Sequence, residues 1–262
     1  ADAVARAVLG ASSWIGGGCA LLCAAAAAPL MQALNAPADV LPLAAPFLAW
    51  MAPALLLDAW NAAMASVMRA HLRAREVLAV VLAMHALHLG LTLAWMPAHG
   101  LAGFAAALAA SRVLGLVLHG LLWRWRLGLV PRLADLWRLP RAELAAVLRI
   151  GAPGAAENIA WRLAYTASIA VAGSLGAAAL ATHAYVMQLT HFTLLGSAAI
   201  GLACEIVVGH HVGAGRLHEA HHLVRRALAL GLLSSGGLAL VLALAGPGLL
   251  GRFTTDPAIV AE

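Results

Sequence analysis

From Leu163 to Val208 the chain carries one formal charge, Glu205. A membrane-spanning helix takes about 20 mostly apolar residues at 1.5 Å rise each, so this stretch alone is long enough for two crossings. Similar runs recur along the whole chain. Seven are expected to span: roughly Arg6–Leu34, Leu41–Val67, Val77–Met96, Leu101–Trp123, Leu144–Leu175, Ala177–Val208 and Leu223–Leu250. The composition allows little else. With 63% hydrophobic and 10% charged residues, the chain falls far below the roughly 25% charged content of soluble domains. The expected fold class is an all-α, polytopic helical membrane protein with about seven transmembrane helices.

The charge pattern supports that count. The net charge is +5 and every basic residue is Arg. A basic balance can mark nucleic-acid binding, but here the Arg residues cluster in alternate short connections between apolar runs. One connection holds Arg69, Arg73 and Arg75; the next holds Arg124, Arg126, Arg132, Arg138, Arg141 and Arg149; the third holds Arg216, Arg225 and Arg226. The intervening turns, Asn35–Asp39, Pro97–Gly100 and Ser174–Thr182, have none. Arg112 and Arg162 lie within spans, and only Arg252 falls on the opposite side. This is the positive-inside pattern. It places Arg6 on the cytoplasmic side and the end of the seventh span outside; the expected location is the inner (cytoplasmic) membrane. The expected partners are the lipid bilayer and a small molecule, with no nucleic acid. Cys19, Cys23 and Cys204 all sit inside apolar runs and fit small packing positions. No signal peptide is evident. The sequence starts at Ala1 and enters an apolar helix directly, so further helices of a longer protein are expected as partners.

A shift of 220 residues superposes Arg6-Ala7 on Arg226-Ala227, Gly16-Gly17 on Gly236-Gly237, Pro37-Ala38 on Pro257-Ala258 and Val40 on Val260. The shared order of basic entry, mid-helix Gly pair and Pro-bearing exit implies two related helical bundles, a common build in secondary transporters. Residues 127–143 form the longest polar connection. Leu133, Leu136, Trp137 and Leu139 suggest an interfacial helix there. The expected organisation is therefore 1–126 as the latter part of a first lobe, 127–143 as a linker, and 144–262 as the first part of a second lobe.

Charges within a bilayer cost about 2.5–3.5 kcal/mol each on insertion scales and mark function more often than surface charges do. Four qualify as candidates: Asp58, Glu157, Arg162 and Glu205. Glu157 follows Pro153 by one turn, where a helix N-terminus favours a carboxylate. It is either a proton- or cation-binding group assisted by Asn158, or an acid facing the interface. Arg162 cannot deprotonate; Asn158 and Thr166 share its face, and it suits an acid on another helix or an anionic substrate. Asp58 and Asn61 make a polar i, i+3 pair. Glu205 lies near a connection and can snorkel to water. Tyr185, Gln188, His191 and Phe192 recur at helical spacing as a stripe for a cleft wall or for helix–helix hydrogen bonds. His85 and His88 form a second stripe. His218-Glu219-Ala220-His221-His222 has histidine-box spacing, but an oxidative di-iron site needs several boxes and no second one matches. No metal ligand or catalytic residue is assigned.

Gly151-Ala152-Pro153-Gly154-Ala155-Ala156-Glu157-Asn158-Ile159 resembles the opening of the second lobe's first helix in the multidrug and toxic compound extrusion (MATE) family. Leu175-Gly176 with Ala179-Leu180-Ala181 resembles that family's next turn. Val208-Gly209-His210-His211-Val212-Gly213-Ala214-Gly215-Arg216 resembles the loop that follows, and Glu219-Ala220 and Phe253–Pro257 also fit. The resemblance implies two six-helix bundles, of which this chain holds helices three to nine. It further implies a cation-coupled antiporter that exports organic cations by alternating access, with H⁺ or Na⁺ as coupling ion and no other cofactor. The expected ion-coupling and substrate-binding residues are Glu157, Asn158, Asp58, Arg162, Tyr185, Gln188 and His191. A flippase for lipid-linked or anionic substrates would share the architecture, and an intramembrane His-box metalloenzyme is the alternative from another class.

Overall fold

The computed structural model describes residues 2–33, 41–138 and 141–253. The Asn35–Asp39 turn and the Pro37/Pro257 and Val40/Val260 pairs of the repeat lie outside them. The described residues are helical almost throughout. The elements are α1 (Asp2–Ala25), α2 (Ala27–Ala33), α3 (Leu41–Ala70), α4 (Ala74–Leu122), a π-helical turn (Trp123–Leu127), α5 (Leu133–Trp137), α6 (Arg141–Ser174), α7 (Ala177–Gly213) and α8 (Leu217–Phe253). The chain divides into two compact units, Ala1–Gly151 and Ala152–Glu262.

Among the described residues five helices are long and apolar enough to cross a membrane: 3–25, 41–70, 74–127, 179–213 and 217–244. The third contains two of the expected spans. Within α4, Gly100 adopts φ 57°, ψ −138°, a combination that a residue without Cβ reaches at little cost. The chain reverses there. A Cβ on Gly115 would collide with Met84 Sδ and Asn61 Oδ1. Met84 and Gly115 are nearly equidistant from Gly100, so 74–99 and 101–122 pack side by side as an antiparallel pair. The remaining expected span falls in α6. Its 34 residues reach about 50 Å, but Arg149, Glu157, Asn158 and Arg162 lower its apolarity, and it is not among the five.

Prolines fall both at a helix interruption and within continuous helices. Pro29 has no N–H to reach the Ala25 carbonyl, and α1 gives way to α2 between them at Ala26. Pro46 and Pro53 lie inside α3, and Pro153 lies inside α6. The weak turn signal at Ser174–Ala177 is a true helix boundary, with Gly176 at φ 113°.

The core of the first unit gathers at its Arg-rich end. Ala5 and Leu9 of α1, Ala63, Met64, Ala65, Val67 and Met68 of α3, Val77 of α4, Trp123 and Leu129 form one buried cluster. Trp123 is 1% exposed, and its indole N–H donates to the Met64 carbonyl at 3.1 Å. Leu129 N–H in turn donates to the Trp123 carbonyl at 3.0 Å, which folds the chain back after the π-helical turn.

The segment expected to be an interfacial helix is shorter and more anchored than its apolar positions suggested. Helix α5 covers Leu133–Trp137 and packs on α1. Asp135, buried at 3% exposure, accepts from Arg6 Nη1 at 2.7 Å and from the Arg132 N–H at 2.9 Å. Leu139 lies outside the described residues. In the second unit α7 and α8 pack through small side chains. Ser235 Oγ donates to the Thr193 carbonyl at 3.1 Å, and Gly231 faces Ser197.

The glycine contacts separate two substitutions. Gly115→Ala should lower the thermal midpoint, by an overpacking cost of about 1–3 kcal/mol. Gly90→Ala, on the same helix with nothing within 4 Å of the new Cβ, should leave it unchanged or raise it. Thermal denaturation of the full-length variants in detergent reads both.

Candidate functional site

Asp58 sits on α3, and the antiparallel halves of α4 bring Arg112 to it. Arg112 Nε lies 2.6 Å from Asp58 Oδ1, a close ionic contact that is not aligned for a hydrogen bond. The Arg112 side chain is 12% exposed and that of Asp58 is 45% exposed. The pair is thus closed on the Arg side and open on the Asp side. His85 lies within electrostatic reach of the carboxylate, and His88 within reach of both Arg112 and His85.

Asn61, expected beside Asp58, turns elsewhere. Its Nδ2 donates to the Leu57 carbonyl at 3.0 Å and to the Arg112 carbonyl at 2.9 Å. Its Oδ1 lies 3.1 Å from His119 Nδ1, and because a carbonyl oxygen only accepts, that nitrogen carries the proton. His119 is 1% exposed. His88 meets Phe104 edge-on at 5.0 Å. His88 Nε2, Thr92 Oγ1, Arg112 Nη1 and His119 Nε2 are buried without a hydrogen-bond partner among the described residues. Buried polar atoms are rarely left unpaired, so α3 and α4 enclose an underused polar cluster.

The second unit arranges its candidates differently. Glu157 lies 16 residues after Arg141, the first residue of α6. The helix dipole acts within the first turn, so it does not hold this carboxylate; Pro153 is internal to the helix and does not start it. Glu157 is exposed and has no partner among the described residues. Asn158 Nδ2 donates to the Gly154 carbonyl at 3.0 Å, and Thr166 Oγ1 to the Arg162 carbonyl at 2.9 Å. Both satisfy their own helix rather than the Arg162 guanidinium, which is exposed and has no acidic partner among the described residues.

The α6–α7 contact is aromatic. Trp161 and Tyr165 stack at 5.7 Å, and His191 meets them edge-on at 5.7 and 6.1 Å. His191 Nδ1 donates to the Met187 carbonyl at 2.7 Å, which fixes its tautomer. His183 joins through Tyr165 at 6.4 Å and lies 3.2 Å from Ser168 Oγ. Of the expected stripe, His191 is therefore in a cluster, Tyr185 is half-buried, and Gln188 and Phe192 are exposed. Glu205 is exposed in a groove of about 590 Å³ between α7 and α8.

The α7–α8 turn binds Glu219 between His211 Nδ1 at 3.3 Å and Arg216 Nη1 at 3.4 Å. Among the described residues no three His, Cys, Asp or Glu side chains converge into a metal-sized group. His218 and His222 lie side by side at 3.1 Å.

Arg112, His119, Trp161 and His183 join these clusters although their sequence positions alone assign them no role, as do Thr92, Phe104 and Ser168. Arg112 was visible as a charge within a span, but its partner 54 residues away depends on the Gly100 reversal. The i, i+4 spacing of Trp161 and Tyr165 was the available signal for the stacked pair.

The MatE family model matches residues 153–262. Over 90% of its length the chain is 24% identical to the uncharacterized transporter YisQ of Bacillus subtilis, covering 53% of that protein. Over 88 residues it is 32% identical to the probable multidrug resistance protein NorM of Chromobacterium violaceum, covering 19% of it. Residues 153–262 are thus similar to the MatE family. The chain's fold is also that of solved MATE-type structures. A MATE in complex with MaD3S superposes with TM-score 0.87 at 18% identity, over 100% of this chain and 60% of that one. A MOP superfamily transporter from Pyrococcus furiosus gives 0.86 at 18%, over 99% and 58%. The chain thus spans about half the length of YisQ. The family match begins at Pro153, in the segment whose Gly151–Ile159 motif carried the resemblance.

A double-mutant cycle tests the ion pair. Arg112→Gln should destabilise the protein, because it leaves Asp58 without its counter-charge. Asp58→Asn/Arg112→Gln should recover part of that loss. The coupling, read from thermal midpoints, should be about 1–3 kcal/mol.

Proposed function

We propose that this chain is part of a secondary active transporter that exports organic cations from the cell by alternating access, driven by inward H⁺ or Na⁺. Residues 1–126 and 144–262 would belong to its two lobes, in the cytoplasmic membrane. The observation that carries the reading is the Asp58–Arg112 contact, an intramembrane ion pair whose carboxylate alone is accessible. Arg112 keeps its charge throughout. A proton or cation that arrives at Asp58 cancels the carboxylate and leaves Arg112 uncompensated in a low-dielectric setting. That cost is relieved by a rearrangement of α3 against α4, so ion binding shifts the balance between two states. The unpaired His88, Thr92 and His119 atoms around it supply alternative partners for the second state.

The Trp161–Tyr165 stack beside His191 gives a π face of the kind that attracts organic cations. Glu157, Asn158, Tyr185 and Gln188 would line the same route, with Glu157 as the charge partner. The names of the relatives, a transporter and a multidrug resistance protein, agree with this reading.

A second reading rests on Arg162. Its guanidinium is exposed and has no acidic partner among the described residues, which suits an anionic or lipid-linked substrate in a flippase of the same build. The Pyrococcus furiosus transporter is described as having a binding pocket of reverse polarity that suggests a different function.

The test is dye efflux from cells that express the complete open reading frame, with the H⁺ and Na⁺ gradients collapsed separately. Efflux should stop with one of the two gradients. Asp58→Asn and Glu157→Gln should each lower gradient-driven efflux about tenfold at unchanged expression. Unchanged efflux in Glu157→Gln removes that residue from coupling. Absence of gradient-dependent efflux for every cationic dye overturns the exporter reading in favour of the flippase, with Arg162→Gln as the next variant.

A further inference from the structure

A cavity of about 950 Å³ lies between α1, α3 and α5 in the first unit, separate from the Asp58–Arg112 cluster. Trp14, Leu21 and Leu56 line its length, and Leu133, Leu136 and Trp137 of α5 close one end. Its polar content is small. Ser13 Oγ already accepts from the Trp60 indole N–H at 2.8 Å and itself donates to the Leu9 carbonyl at 3.0 Å. From Ser13 to Ala24 the α1 wall runs about 16 Å, the scale of an acyl chain.

The closed end is strongly basic. Arg132 and Arg138 flank α5, and both are exposed. Arg124 and Arg126 on the preceding π-helical turn are exposed as well. The only acid between residues 127 and 141 is Asp135, and its carboxylate faces inward to Arg6 and the Arg132 N–H. Glu76 lies within electrostatic reach of Arg126, but among the described residues Arg132 and Arg138 have no acidic side-chain partner, so the rim presents positive charge at these two. A Cβ on Gly10 would collide with the Arg138 and Asp135 carbonyls, so α5 sits directly on α1 and holds this geometry. Trp137, 75% exposed and beside the basic rim, has the position and chemistry of an interfacial anchor.

We propose that this groove is a binding site for an anionic phospholipid, with one acyl chain along α1 and α3 and the phosphate at Arg132 and Arg138. An apolar slot alone would accept any lipid tail. The Arg pair flanking its α5 end selects the headgroup, since each basic residue near a membrane surface favours anionic lipid by about 1 kcal/mol, or roughly fivefold. The site does not depend on the transport reading, because it uses none of the same residues.

The experiment uses the full-length protein in liposomes of phosphatidylcholine doped with brominated phosphatidylglycerol or, separately, brominated phosphatidylcholine. The fluorescence that Trp137→Phe removes is the reporter. Brominated phosphatidylglycerol should quench it several-fold more strongly than brominated phosphatidylcholine at equal mole fraction. Arg132→Gln/Arg138→Gln should abolish that preference, about fivefold per Arg, while quenching by phosphatidylcholine persists and shows the groove still formed. Equal quenching by both lipids in the unaltered protein means an ordinary lipid annulus and overturns the proposal. Quenching by neither means that protein covers the groove, and overturns it equally.

Discussion

An ion held among apolar helices must meet its opposite charge or reach water, because desolvating it alone costs more than a fold of this kind has to spare. Two such pairs organise the first unit. Arg6–Asp135 fastens the short helix α5 onto α1 at the Arg-rich end. Asp58–Arg112 joins α3 to the far half of α4. Each bridges segments distant in sequence, so each fixes an arrangement that apolar contact alone, being non-directional, would leave loose. Between them the Trp123 cluster fills the end of the bundle, with its one polar atom satisfied by the Met64 carbonyl.

The two pairs differ in what they can do. Asp135 is nearly sealed and receives two donors on one oxygen; its role is to hold. Asp58 is open on one side and touches a buried guanidinium that has an unused donor. The same ionic chemistry is structural where the carboxylate is enclosed and responsive where it is exposed. The unpaired histidine and threonine atoms nearby place polar capacity where packing alone would favour apolar groups.

Sequence patterns carried much of this. The apolar runs and the Arg alternation pointed to the helical membrane fold, and the Gly151–Ile159 motif lies where the family model begins to match. Helix ends were less legible. Pro153 favours a first turn, which by sequence puts Glu157 at a helix start; the helix instead begins at Arg141 and runs through the proline. The α5 segment read as an amphipathic surface helix because Leu133 and Trp137 are apolar, yet its anchor is the buried acid between them. Asn158 and Thr166 share the face of Arg162 but bond to backbone, a choice that spacing does not decide.

What the sequence determined by itself was the solvent and the local structure. Runs of apolar residues without charge require a bilayer, and connections rich in Arg mark one side of it. Both follow from transfer free energies that depend on residue type and run length alone. Only the tertiary structure decided the partners. Arg112 meets Asp58 because Gly100 reverses the chain, and His191 meets Trp161 and Tyr165 because α6 and α7 turn at Gly176. These pairings depend on backbone geometry at single residues, which places side chains tens of positions apart in contact without leaving a periodic trace in the sequence.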